Sequence, residues 1–509
     1  MPEPSIAPLK TEKIVVDAVH GYIQTTQVEY QILQLPAFNR LHYLRQMSLG
    51  HLVFPCASTT RFQHSLGTMH VASKMIQQML GSLEPQWLDD LFPAANRDSG
   101  RKEVIQLVRL AALLHDIGHG PFSHASENIM LSAMNEADLT KACRLFATHD
   151  KNKIPAHEYS SYQTIMGAEI AEVLTKHGIS SEHVASLLVK GGAQRPQICS
   201  EAGLEILRAV VSGQLDADRM DYLLRDSYMT GAPYGNVDID RIIMYLMIRR
   251  RKPNDFRLVV DERALPSVED MLDARFKMYK WVYGHHMVEA LNQLIAAAMA
   301  ALIKDVKNIN LADFSWRNLT ASHMTDNLIM YALHEGLNKS DKKDVMSTFA
   351  GILDRRYLPI SILKWHPMDY DRFQRKIISK SKTEEKNDVL LRRIVASFKR
   401  LMKDRTLTIH VDRKDLNVSL FPSIQIRSPY EPIGKDQTQR EAVYIYSGKD
   451  GNFSELTKAS PYLNAVNEEW AHFPSYHLAY VIPGMLKIHA YKRREAVLRS
   501  VVGRISRQL

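Results

Sequence analysis

The segment Leu113-Leu-His-Asp-Ile-Gly-His-Gly-Pro-Phe-Ser-His124 gathers His115, His119, His124 and Asp116 around a Gly-Pro break. His115-Asp116 closes the apolar run VIQLVRLAALLHD. Burying an imidazole and a carboxylate there costs on the order of several kcal/mol unless both are paired or bound to metal. His149-Asp150 is a second such dipeptide, but it lies in the polar run Ala147-Thr-His-Asp-Lys-Asn-Lys153 and reads as a solvated loop. Imidazole nitrogen with carboxylate oxygen suits borderline and hard divalent ions, and a catalytic ion keeps positions open for water and substrate. Adjacent helical residues project about 100° apart, so His115 and Asp116 straddle an ion rather than chelating it from one face. Further ligands must come from elsewhere. Arg61-Phe-Gln-His64 offers His64, on the face of Arg61 if that segment is helical. Leu215-Asp-Ala-Asp-Arg-Met-Asp-Tyr222 offers Asp218, with Tyr222 and Asp226 one and two turns on. Spacing by itself leaves the convergence of these segments open.

An ion held this way can act as a Lewis acid and lower the pKa of a bound water. In the nucleotide hydrolysis that the family resemblance given below implies, attack at an α-phosphorus expels either pyrophosphate or a sugar 5′-oxygen, and the second is a poor leaving group that needs a proton. A histidine of near-neutral pKa delivers one, worth about 10² to 10⁴ in rate. His124 is the nominee. If a helix starts at Ser123, Glu127 lies close enough to fix the His124 tautomer or raise its pKa. His119 and His157 are the alternatives for stabilising phosphate charge.

The elements that must carry these groups read as mostly helical through about residue 300. The run after Glu103 is apolar on nearly every side, as expected of a central helix, and Gly118-His-Gly-Pro121 stops it. A second helix is expected from about Leu204 to Met229, ending at Thr230-Gly231. A third is expected from Ser267, capped by Ser267-Val-Glu-Asp270 and running past Trp281 toward Ala300. It would align Arg275, Tyr279 and Tyr283 on one stripe, a site wall rather than core because a buried Arg needs an anionic partner. Met244, Met247 and Trp281 read as core. Beyond about residue 405 the stretches TLTIHVDR, VSLFPSIQI and EAVYIYSG read as strands, with YHLAYVIPG and MLKIHAY as further candidates. A short helix near 493–500 closes the chain, and Lys376 to Asp388 reads as a linker. The expected fold is mainly α: an all-helical core over 1–300, a helical extension over 301–404, and a smaller α+β lobe over 405–509 with a short antiparallel sheet.

Composition narrows the class. The chain has 509 residues, a charge of +9, 45% hydrophobic residues and three cysteines without a CxxC pair. Collagen-like, disordered and disulfide-scaffold proteins are excluded, and the thiols fit a reducing, cytoplasmic setting. The N-terminus lacks a signal-like apolar region, and the apolar stretch Leu294 to Ile303 is short of a membrane span. The mild basic excess suits anionic partners such as nucleotides or nucleic acid.

His64, His115-Asp116 and Asp218, in order and in context, resemble the ligands of the HD-domain metal-dependent phosphohydrolases. LPAFNRLHYLRQ, FPCASTTRFQHSLG, HDIGHGPFSH and DADRMDYLLRD narrow the resemblance to deoxynucleoside triphosphate triphosphohydrolases over about residues 15 to 300. The pattern is nearest that of animal SAM-and-HD-domain members, without a SAM domain ahead of the HD region here. The resemblance implies hydrolysis of dNTPs to deoxynucleoside and triphosphate. It implies His64, His115, Asp116 and Asp218 around one ion, with His119, His124 and His157 along the α-phosphate and Glu127 in support. It places Arg61, Arg219 and Arg275 on the triphosphate, and Gln46, Tyr222 and Asp226 on the sugar 3′-hydroxyl. It further implies that Tyr283 excludes a ribose 2′-hydroxyl and that Met47 lies under the base. It also implies a homodimer or homotetramer with an activator nucleotide at an interface.

Glu127, Arg219 and Tyr279 stand where the animal enzyme has Asp, Lys and His. Tyr279 removes a cation near the phosphates. Gln34 replaces an aspartate that reads guanine, and it lacks paired carboxylate acceptors for that edge. The ligand set suits Mn, Fe, Mg, Zn, Ni or Co, with a second Mg accompanying the triphosphate. Two rival readings use the same residues. One is an HD phosphodiesterase or nuclease, which Arg392-Arg393, Lys399-Arg400 and Arg493-Arg494 would suit. The other is a nucleotide-sensing regulatory module.

Overall fold

The computed structural model describes residues 9–191, 194–253, 255–305, 309–320, 323–339, 360–365, 406–411, 414–425, 444–448, 451–463 and 475–481, with a few positions from 492 to 500. The linker at 376–388, the MLKIHAY stretch and the basic pairs at 392–400 lie outside these residues. The chain divides into two compact units. One comprises Met1–Met278, Leu311–Leu328 and Ile433–Val466, and the other comprises Tyr279–Asn310, Ile329–Pro432 and Asn467–Leu509.

The first unit is built around the helix Asp98–Leu114, buried on all sides from Leu107 to Leu114 as its unbroken apolarity requires. It packs against the helices Arg61–Gly81 and Glu201–Val211. Its one buried cation, Arg109, is matched by Glu29 through Nε and Nη2, both at 2.7 Å. The helix ends at Leu114, ahead of Gly118, and the Ile117 N–H returns to the Leu114 carbonyl at 3.2 Å. Gly118 is there for lack of room. A Cβ on it would lie 2.1 Å from Ser161 N and 2.4 Å from the His157 carbonyl oxygen, so only glycine lets this loop press on the helix Ala156–Met166. Phe122 and Ser123 follow with φ of 57° and 54°. Each left-handed non-glycine residue costs about 1–2 kcal/mol. Buried anchors hold them: Phe122 N–H donates to Asp326 Oδ1 at 2.6 Å, and Ser123 Oγ donates to the Arg45 carbonyl at 2.8 Å.

Several expected helices are corrected. The single helix over 204–229 is two, Glu201–Val211 and Ala217–Thr230. Asp216 divides them, accepting from Gly213 N at 2.9 Å and Arg219 N at 2.8 Å, so it caps a new helix where the apolar rhythm continues through Leu215. The third helix is Leu265–Met278, so Ser267 lies inside it and caps nothing. It gives way to a π-helical turn, Tyr279–Tyr283, before a new helix at His286–Asp305. Arg275, Tyr279 and Tyr283 therefore share no regular helical stripe. Met244 and Trp281 are exposed at 62% and 48%, against a core assignment, while Met247 is partly buried against Val259 and Tyr444. His149 and Asp150 are exposed, as a solvated loop requires.

The helical core also carries β-structure. β1 (Lys13–Asp17) and β2 (Gly21–Thr25) form an antiparallel hairpin. β3 (Leu246–Lys252) and β4 (Asp255–Asp261) form another. In the second unit, β5 (Ile360–Trp365), β6 (Thr406–Val411), β7 (Lys414–Gln425) and β10 (Ser475–Val481) form one antiparallel sheet in the order β5-β10-β7-β6. β5 falls in the stretch expected to be a helical extension. The C-terminal strands do not make a single sheet, because β8 (Tyr444–Ser447) pairs parallel with β4 and antiparallel with β9 (Asn452–Glu455) in the first unit. His286–Lys304 has the length and apolar composition of a membrane span, contrary to the expectation from Leu294 to Ile303. In the fold this helix packs on β5, β7 and β10 of its own unit, burying Leu291, Leu294, Ile295, Ala298, Met299 and Leu302.

The central helix sets a stability expectation. Leu110→Ala should cost about 2–5 kcal/mol, the range for deleting a fully buried leucine. Urea unfolding followed by far-UV circular dichroism checks it, and a loss below about 1 kcal/mol would show that the helix is not the packing centre.

Candidate metal centre

Three helix ends bring the site together. Arg61 and His64 occupy the first turn of Arg61–Gly81, where Gln63 accepts from the Thr60 N–H at 2.9 Å. His115 and Asp116 follow the C-terminus of Asp98–Leu114, and Asp218 sits in the first turn of Ala217–Thr230. His64 Nε2 lies 2.9 Å from Asp218 Oδ1 and 3.6 Å from Asp116 Oδ2. His115 Nε2 lies 3.4 Å from Asp116 Oδ1 and 3.7 Å from Asp218 Oδ1. The remote segments converge, and all four proposed ligands face one another.

The other edge of each imidazole is already engaged. His64 Nδ1 lies 2.8 Å from Asp221 Oδ2, and His115 Nδ1 lies 2.8 Å from the Ala112 carbonyl oxygen. A carbonyl oxygen only accepts, so His115 carries its proton on Nδ1, and the Asp221 carboxylate selects the same tautomer for His64. Both Nε2 atoms are buried without a hydrogen-bond partner of acceptable geometry. Two lone pairs directed at two carboxylates repel unless positive charge lies between them. The donor set fits a divalent ion, with nitrogen and oxygen ligands and Nδ1 held by outer partners.

The electrostatics agree. Burial alone would lower His64, but the nearby carboxylates of Asp218 and Asp221 push it up to about 10. His115 is raised as well, its desolvation outweighed by Asp116 and Asp218. Burial would raise Asp116, yet the Arg61 guanidinium holds it well below the usual carboxylate range. Asp218 is held low against desolvation by His115 and His64. Protons thus supply the positive charge that an ion would bring, and metal uptake must release them.

A second cluster adjoins the first. His119 Nε2 lies 3.3 Å from Asp116 Oδ1, and its ring stacks on His157 at 4.1 Å between centroids. The His124 ring stands edge-on to both, 5.1 Å from His119 and 5.3 Å from His157. Glu127 was expected to support His124. Instead its Oε2 lies 2.9 Å from His157 Nδ1, and its Oε1 accepts from the His157 backbone N–H at 3.2 Å. The reason is local. Ser123–Ser126 is a 3₁₀ turn and the α-helix begins only at Glu127, so the carboxylate swings to the Ala156–Met166 helix. Desolvation within the cluster and the nearby charges of Arg61 and His157 lower His119 and His124, whereas Glu127 overcomes burial to raise His157 and is itself held at about 2. A trio of imidazoles is a poor site for Mg, so this cluster does not itself account for a second Mg.

The remaining expected residues are distributed as follows. Arg61 is buried, donating to Asp116 and, at 3.0 Å, to Ser123 Oγ. Arg219 donates to Asp216 and the Gly213 carbonyl. Gln46 is half-buried with Oε1 enclosed, Met47 is buried, and Gln34 is exposed at a helix end. Tyr222 and Asp226 lie a turn apart beyond Asp218, and Arg275 is buried near the end of its helix. Tyr279 and Tyr283 belong to the second unit, with ring centroids 5.1 Å apart. Sequence reasoning missed Asp221, the outer partner of His64, although DADRMDYLLRD contains it. It missed Ser123 and Asp326 as well, for no pattern marks a loop serine or a carboxylate some two hundred residues away as support for one turn.

Residues 61–203 match the HD domain, and residues 237–387 match the HD associated region. The chain carries an HD domain and an HD associated region. The HD match contains His64, His115, Asp116 and the second cluster, while Asp218 falls between the two matched stretches. Among curated relatives, the uncharacterized protein YwfO of Bacillus subtilis is 30% identical over 288 residues, covering 56% of this chain and 55% of its own. The human deoxynucleoside triphosphate triphosphohydrolase SAMHD1 is 24% identical over 344 residues, covering 64% and 51%. The chain spans about half the length of the curated relatives it matches. Two solved structures share the fold. A hypothetical protein from Aquifex aeolicus has a TM-score of 0.61 at 21% identity, covering 95% of this chain and 99% of its own. A phosphohydrolase from Bacteroides thetaiotaomicron has a TM-score of 0.59 at 22% identity, covering 93% and 100%.

The HD site makes a metal expectation. Mn²⁺ added to EDTA-stripped protein should raise the melting temperature, by about 2.7 kcal/mol of added stability at a hundredfold excess over Kd. His115→Ala and Asp218→Ala should lose that rise in scanning fluorimetry. An equal rise in both variants would place Mn²⁺ elsewhere.

Proposed function

We propose that the HD domain is a metal-dependent phosphohydrolase that cleaves deoxynucleoside triphosphates to deoxynucleoside and inorganic triphosphate. The observation that carries the reading is the pair of buried, unpartnered Nε2 atoms of His64 and His115 aimed at Asp116 and Asp218. The likeness to SAMHD1 supports the substrate class.

His64, His115, Asp116 and Asp218 would hold the ion, which supplies Lewis-acid activation and a nucleophile at neutral pH when bound. Arg61 keeps Asp116 ionised and oriented. The second cluster begins at the same carboxylate through His119, so the imidazoles of His119, His124 and His157 would receive an α-phosphate bound at this site. Departure of the sugar 5′-oxygen requires a proton at that atom. With Glu127 bonded to His157, the carboxylate-backed imidazole is His157 rather than His124. His157 is therefore the proton donor in this reading, and His124, with its exposed surface, contacts the phosphate. Arg219, Arg275, Gln46, Met47, Tyr222, Asp226, Tyr279 and Tyr283 are proposed to contact the nucleotide as the family resemblance implies.

Incubation with each dNTP, an NTP and single-stranded DNA in Mn²⁺ or Mg²⁺ tests the reading. Intact triphosphate and deoxynucleoside are expected, with activity down more than about a hundredfold in Asp116→Ala and Asp218→Ala, beyond the loss for an outer metal partner. Pyrophosphate with monophosphate, or cleavage of DNA alone, would overturn it. His157→Ala should cost about 10² to 10⁴ in kcat. A larger loss in His124→Ala than in His157→Ala would return the proton to His124.

A further inference from the structure

Asp221 is fully buried and accepts from two histidines and an arginine at once. His64 Nδ1 approaches Oδ2 at 2.8 Å, and His20 Nε2 approaches Oδ1 at 2.6 Å. Arg225 clamps both oxygens, Nε to Oδ2 and Nη2 to Oδ1, each at 2.9 Å. The other side of the Arg225 guanidinium engages Asp17, with Nη1 to Oδ2 at 2.7 Å and Nη2 to Oδ1 at 3.2 Å. Asp17 Oδ1 in turn accepts from the backbone N–H groups of Val19 and His20, both at 2.9 Å. These contacts run without a gap from the β1–β2 turn to His64.

The packing leaves this carboxylate one position. Gly67 lies one turn beyond His64, and a Cβ there would sit 1.8 Å from Asp221 Oδ1 and 2.3 Å from Arg225 Nη2. The Ala217–Thr230 helix can therefore press its acid against the Arg61–Gly81 helix only because that residue is glycine. Asp218 and Asp221 project from the same helix, one toward His64 Nε2 and the other toward His64 Nδ1. One helix thus grips both edges of one imidazole.

The geometry points to Asp221 as a positioning residue for metal uptake, and to the β1–β2 turn, through His20, as a remote support of the same imidazole. The inference rests on the metal reading of His64. Asp221 acts through the His64 ring, with both of its oxygens taken up by His64, His20 and Arg225. It fixes the Nδ1–H tautomer and the ring plane, so that the Nε2 lone pair is ready before an ion arrives. His20 shares the load on Asp221 Oδ1 and ties the acid to a turn of the chain some two hundred residues away.

The test uses Co²⁺ as probe on the full EDTA-stripped chain, with affinity from calorimetry and coordination from the visible absorption of bound Co²⁺. Asp221→Asn should weaken Co²⁺ binding by about 10–100-fold and shift that absorption, the range for an outer partner of a metal-bound histidine. His20→Gln should act in the same direction and less strongly. Glu29→Gln disturbs a different buried ion pair, with Arg109, and should lower the melting temperature while leaving Co²⁺ affinity unchanged. Should Asp221→Asn fail to fold by circular dichroism, His20→Gln decides. Wild-type affinity and an unaltered spectrum in the folded variants would overturn the inference and leave the metal reading intact. Wild-type protein that takes up no Co²⁺ would instead sink the metal reading, and this inference with it.

Discussion

Everything at this site follows from imidazole edges that cannot turn away. His64 and His115 each spend one nitrogen on a fixed acceptor, and the remaining nitrogen of each meets the carboxylates of Asp116 and Asp218. Such an arrangement is unfavourable without a positive charge in its midst. Arg61 supplies part of it from the side, and protons or an ion supply the rest. Stability and ion binding are thus coupled: the groups that would hold an ion are those that would destabilise the fold if left uncompensated.

The surrounding irregularities serve that convergence. Gly118 and Gly67 are points where backbone or carboxylate comes closer than any side chain permits. Phe122 and Ser123 adopt left-handed conformations to swing His119 and His124 back past His157, and the Asp326 carboxylate offsets the cost. Backbone strain beside reacting groups, held by buried partners, is a common feature of active sites.

The site was largely legible in the amino-acid sequence, because burying His115-Asp116 at the end of an apolar helix demands an explanation. The support around it was not. Asp221 lies in a motif whose neighbours Asp218, Tyr222 and Asp226 were read on one face, yet a helix has other faces, and this residue works on one of them. The Glu127 partner was misjudged because a 3₁₀ turn rotates its side chain away from the α-helical position. The stripe through Arg275, Tyr279 and Tyr283 failed because a π-turn changes the period, and nothing in residue type marks such a turn. The mainly helical class, the central helix and the late strands were legible from apolar runs and β-branched stretches. Strand partners were not, since alternation shows that a segment is extended without saying against what.

That last point has a kinetic side. Among the described residues β8 is what covers the outer edge of β4, so Asp261 waits for Tyr446 while roughly 180 residues emerge between them. At ribosomal rates of about 5–20 residues per second, the delay lasts on the order of 9 to 36 s. Through that interval a nascent chain displays an unpaired strand edge, which invites pairing with a neighbouring polypeptide. When the late hairpin arrives, Arg249 and Arg251 of β3 and Arg257 of β4 meet the rings of its Tyr446 and Tyr444, so the cations that line the waiting edge become part of its cover.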